Sequence, residues 1–144
     1  MTEIRRLSFI KPTLSTPFHI DFNWWKSHDN NWRIFLFSCL CSEHQALFMN
    51  EQNDIPIDWI DPETAEVHSV DGLQHILMTH CAKQPNFLKD SSTLVDSAFK
   101  VFLANGNTPL TAHELSKIIG RPADIILRTL SGHQVYKGLR PYNS

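Results

Sequence analysis

The stretch from Leu110 to Leu130 constrains this chain more than any other. Thr111 and Glu114 stand at the spacing of a capping box, in which the threonine hydroxyl accepts from the Glu114 N–H and the glutamate reaches back to the cap. Ala112, Leu115 and Ile119 then share one face of a short helix. Gly120 accepts the left-handed conformation that ends it. Pro122 suits the first turn of a further helix, where its missing N–H costs nothing. That helix buries Ile126 and Leu130, and Ser131-Gly132 breaks it. Upstream, Leu94, Ala98, Val101 and Phe102 recur at i, i+4, i+7 and i+8, which predicts an amphipathic helix over Thr93–Ala104. Asn105-Gly106-Asn107 stops it, and Thr108-Pro109-Leu110 is a short extended lead-in. Such short helices are stable only when their apolar stripes pack on one another.

The run Leu110-Thr111-Ala112-His113-Glu114-Leu115-Ser116-Lys117-Ile118-Ile119-Gly120, continued by Arg121-Pro122-Ala123-Asp124-Ile125-Ile126-Leu127-Arg128-Thr129-Leu130, resembles a winged helix-turn-helix. The small Ala112, the turn glycine Gly120, and Ile126 and Leu130 four apart carry the likeness, which covers the last third of the chain. Gln134 to Leu139 is the expected strand after the recognition helix, and the residues up to Ser144 leave room for one wing strand. The resemblance implies a helix that reads DNA with its amino-terminal exposed side chains while cations meet phosphate. Arg121 and Arg128 suit that helix. Lys117, Lys137, Arg140 and His133 are the further phosphate contacts. Asp124 opposes this reading, because an acid repels phosphate. Ile125 and Leu127 oppose it too, since exposed aliphatic side chains mark a protein partner or a face packed inside the chain.

Charge separates the chain into segments. Residues 1–39 carry five basic and three acidic groups, residues 40–91 two against nine, and residues 92–144 six against three. The acidic middle and basic end point to different partners for different parts. Even so, five basic residues from Lys117 to Arg140 are a modest footprint beside a strongly basic DNA-binding domain.

The first two thirds are less legible. Ile4 to Ile10 alternates loosely, as a strand does. Asp21 or Asn23 is placed to cap a long helix running to about Ser42, with Trp25, Trp32, Leu36 and Cys39 on one face. Aromatics at that spacing are core residues rather than a stacking platform for bases, because no cations are interleaved with them. Ile55 to Ile60 and Val67 to Val70 flank a turn sequence and read as a β-hairpin, with Pro56 placing its strand at an edge. Asp71-Gly72 opens a helix to about Ala82. Gln84-Pro85-Asn86 and Lys89-Asp90-Ser91-Ser92 form the best boundary. The expected architecture is α+β: residues 1–91 as a small domain with a long helix and a hairpin, and residues 92–144 as the winged helix-turn-helix.

Groups that carry catalysis are sparse. Cys39, Cys41, His44, His80 and Cys81 are the zinc-type residues. A Cys-x-Cys pair inside a helix points its side chains about 200° apart, and Cys39 falls on the apolar face, so no metal and no cofactor are expected. Asp58, Asp61, Glu63, Glu66 and Asp71 gather on the hairpin, but Glu66-Val67-His68 lacks the lysine of a metal-dependent nuclease strand. No nucleophile elbow and no phosphate-cradling glycine loop occurs. The three cysteines imply no disulfide framework, and no leader follows Met1, which points to the cytoplasm. The most apolar stretch, Ile34 to Leu40, is too short to cross a bilayer. The sequence therefore predicts a non-enzymatic nucleic-acid-binding protein, a regulator or accessory subunit. The alternative is an adaptor that docks a protein partner or a second copy of itself through Ile125 and Leu127.

Overall fold

Strand β1 (Pro17–Ile20) alternates half-buried and buried residues, so Phe18 and Ile20 point into the core. It is seen in a computed structural model that describes residues 11–48, 56–60, 64, 65, 67–89 and 93–142; the strand expected at Ile4–Ile10 lies outside them.

The single long helix expected up to about Ser42 is instead two, α1 (Phe22–His28) and α2 (Trp32–Ser38), and a third, α3 (Ser42–Phe48), begins where it was expected to end. Asp21 caps α1, accepting from the Trp24 N–H. The first break is local competition for the backbone. Asp29 accepts from the Asn31 N–H at 2.8 Å and from Trp25 Nε1 at 3.0 Å, which favours a turn over helix continuation. At the second break the Cys39 and Leu40 N–H groups bond Leu36 and Phe37 carbonyls three residues back, tightening and ending α2. The aromatic face survives the breaks. Trp25 is buried, with its ring 5.1 Å from Phe99 and 6.2 Å from Phe35. It serves as core.

The hairpin forms as expected, β2 (Pro56–Ile60) antiparallel to β3 (Val67–Asp71) with Pro56 opposite Asp71. Helix α4 (Gly72–Thr79) follows, then a 3-10 turn over Cys81–Lys83. Segment 84–89 runs in turns, with Phe87 buried and Lys100 Nζ on its carbonyl at 3.3 Å.

Helix α5 (Leu94–Ala104) is capped by Thr93, whose hydroxyl accepts from the Asp96 N–H. After it come β4 (Leu110–Thr111), α6 (Ala112–Ile119), α7 (Ala123–Leu130) and β5 (Leu139–Pro141). The expected strand at Gln134–Leu139 is displaced: residues 134–138 are turn and coil, and pairing starts at Leu139. The turn is forced by backbone geometry. Lys137 and Gly138 both have positive φ, and a Cβ on Gly138 would lie 2.7 Å from the Trp25 Cβ.

These pieces assemble around β1. The three-stranded antiparallel sheet has the order β4-β1-β5, with Phe18 opposite both Leu110 and Pro141. Asn107, at positive φ, extends this pairing through its side chain, accepting from the Ile20 N–H and donating to the Ile20 carbonyl, each at 2.8 Å. One apolar cluster joins Phe18, Ile20, Trp25, Leu36 and Leu77 to Phe99, Phe102, Leu115, Ile126 and Leu139. Residues on both sides of the boundary expected at 91/92 contribute to this cluster. No helix among the described residues is long and apolar enough to cross a membrane.

Candidate nucleic-acid interface

The α6–α7 unit is built by the signals the sequence carries. Both halves of the capping box are made: the Thr111 N–H donates to Glu114 Oε1 at 2.9 Å, and the Glu114 N–H to Thr111 Oγ1 at 3.1 Å. Gly120 closes α6 in the left-handed region at φ 80°, with its N–H on the Ser116 carbonyl. The Ser116 hydroxyl donates to the Arg121 carbonyl at 2.6 Å, so the turn is held by a side chain as well as by glycine. Pro122 sits at the cap with φ −59° and α7 begins at Ala123. On α7 the buried residues are Ile126 and Leu130, packed toward α5 and α6.

The opposite face of α7 is open. Asp124, Ile125 and Arg128 are exposed on it, Asp124 and Arg128 one turn apart, and Arg121 is exposed in the turn before the Pro122 cap. Lys117, in the last turn of α6, and His133, in the turn after α7, are exposed too.

Lys137 and Arg140 are differently placed. Arg140 donates to Asp21 at 3.0 Å with its guanidinium 5.3 Å from the Trp24 ring, and Lys137 Nζ lies 4.2 Å from the Phe35 ring. Both cations are committed to contacts with the α1 and α2 region. That leaves Lys117, Arg121, Arg128 and His133 as the exposed part of the expected set.

The two aliphatic residues also part company. Ile125 is 37% exposed. Leu127 is half-buried against the core and shares a groove with Pro12, Leu14, Thr111 and His113. Ile118, which the sequence reading did not single out, is 51% exposed. Its signal was present: it falls off the Ala112, Leu115 and Ile119 stripe.

Comparison with protein-family models, with characterised proteins and with solved structures gives no match.

Proposed function

We propose that this chain is a non-enzymatic nucleic-acid-binding protein that presents α7 to a DNA groove from a winged helix-turn-helix. The observation that carries the reading is the pair of exposed arginines, Arg128 on α7 and Arg121 in the glycine turn that leads into it. A helix held this way offers base edges its first turn, while Lys117 and His133 flank it for phosphate. Strand β1 supports the reading by filling the place beside β5 that a second wing strand would take. Lys137 and Arg140 belong to the scaffold in this picture, because their charges are already partnered.

Three phosphate contacts, from Lys117, Arg121 and Arg128, correspond to a slope of about −2.7 in log K against log salt. Electrophoretic shift titrations on duplex DNA at several salt concentrations test this. Arg121→Ala with Arg128→Ala is expected to abolish the shift while leaving the thermal midpoint nearly unchanged. Wild-type affinity in the double variant rejects the α7 interface.

A second reading rests on Ile118 and Ile125, whose exposure suits a protein partner better than phosphate. Under that reading wild type gives no shift on duplex DNA, and Ile125→Asp removes a co-purifying protein or a self-association seen by sedimentation. Leu127 is the weaker docking residue, since the chain already half covers it.

A further inference from the structure

The start of α3 and the end of α4 bring Cys41, His44 and His80 together, with Cys81 beside the first two. Cys41 immediately precedes α3 and His44 lies in its first turn, so a three-residue separation puts both side chains on one face. His80 leaves α4 with non-helical backbone and Cys81 opens the 3-10 turn. Cys41 Sγ lies 3.1 Å from His44 Nδ1 and 3.4 Å from Cys81 Sγ. Cys81 Sγ lies 3.7 Å from His44 Nδ1. The His80 ring meets the His44 ring at a centroid distance of 4.5 Å, and donor atoms of Cys41, His44 and His80 all fall within 4.8 Å of one another.

These separations have a natural explanation. A tetrahedral zinc ion with bonds of about 2.3 Å to sulfur and about 2.0 Å to nitrogen holds its donors about 3.3–3.8 Å apart. The three separations among Cys41, His44 and Cys81, at 3.1, 3.4 and 3.7 Å, scatter around that range. A disulfide between Cys41 and Cys81 accounts for two of the four residues and gives the histidines no role. A shared ion accounts for all four.

We propose that Cys41, His44, His80 and Cys81 form a structural zinc site that pins the first turn of α3 to the end of α4. The donor set is two thiolates and two imidazoles, which selects zinc among common divalent ions. Four protein ligands leave no open position, so the ion's role is to hold the fold. Cys39 stays outside the set, buried at the end of α2. The site is independent of the α7 surface.

The test uses the full chain, reduced and freed of metal, then titrated with Co²⁺ and afterwards with Zn²⁺. The expected result is one equivalent of cobalt with the intense visible bands of a tetrahedral site and thiolate-to-cobalt charge transfer, displaced by zinc, with a higher thermal midpoint in the zinc form. Cys41→Ser and His44→Gln are each expected to weaken zinc by more than about 100-fold, the upper range for loss of a mere outer-shell partner. Cys39→Ser is expected to leave the cobalt spectrum unchanged. Should Cys81→Ser fail to fold, His80→Gln at its exposed position replaces it and is expected to change the spectrum. Folded, reduced wild type showing only a pale octahedral spectrum overturns the assignment. So does a tetrahedral spectrum that survives loss of both Cys41 and His44, or a Cys41–Cys81 disulfide whose reduction yields no cobalt binding.

Discussion

Beyond Phe18, strand β4 no longer reaches β1, and the Asn107 carboxamide takes its place at Ile20. The substitution is economical, because one side chain satisfies an N–H and a carbonyl that would otherwise be buried without partners. The same residue sits at φ 61°, a conformation asparagine tolerates better than most. Asn107→Ala is expected to cost about 2–4 kcal/mol, the penalty for two stranded backbone groups, measured by urea unfolding at constant slope. Asn107→Gly keeps the conformation and loses the pairing, so it is expected to be destabilised as well; full stability in the glycine variant would assign the effect to backbone strain. Cys39 illustrates the opposite kind of residue. Burial pushes its thiol up to about 11, which leaves it protonated and unreactive.

Among the elements, α6 has its stability written into its first turn. The Thr111 backbone N–H, followed by the Thr111 hydroxyl, holds the Glu114 carboxyl below its usual value near 4.5. A depressed carboxyl contributes stability that is present above the unfolded value and lost as pH falls through the lower folded value. Wild type is therefore expected to exceed Glu114→Gln in stability near pH 6, with the difference shrinking as the solution is acidified below about 4.5. A difference independent of pH, followed by thermal melts across that range, would remove the charge from the account. The capping box, the Gly120 stop and the α7 stripe were all legible in sequence, because each joins residues within one or two turns. The α1–α2 break was not, because Asp29 shares its carboxylate between Trp25 and Asn31, and only the folded geometry shows that competition.

For the whole molecule, the decisive arrangement is the sheet. In it β4 and β5 each pair with β1 and are separated by it. Phe18 and Ile20 are almost completely buried, and Trp25 packs on Phe99 from across the expected boundary. A fragment of residues 92–144 loses the central strand and these three apolar side chains. Each is worth roughly 1.5–3 kcal/mol on burial, and a domain's net stability is only about 5–15 kcal/mol. The fragment is expected to show no cooperative unfolding by circular dichroism, and adding a synthetic peptide of residues 11–31 is expected to restore helicity. A fragment that melts cooperatively by itself would show that β1 is dispensable.

What the sequence determined by itself is the set of short helices from Leu94 to Leu130, their stops and their buried faces, together with the hairpin. Those features depend on contacts a few residues apart, where spacing and capping chemistry report directly on geometry. The tertiary structure decided the rest. It placed β1 between strands more than ninety residues later in the chain, and set Arg140 on Asp21 across 119 residues. It also brought Cys41 and His44 to His80 and Cys81 across some forty residues. No periodicity encodes such meetings. They follow from how the apolar faces pack, and packing is settled only when the whole core forms at once.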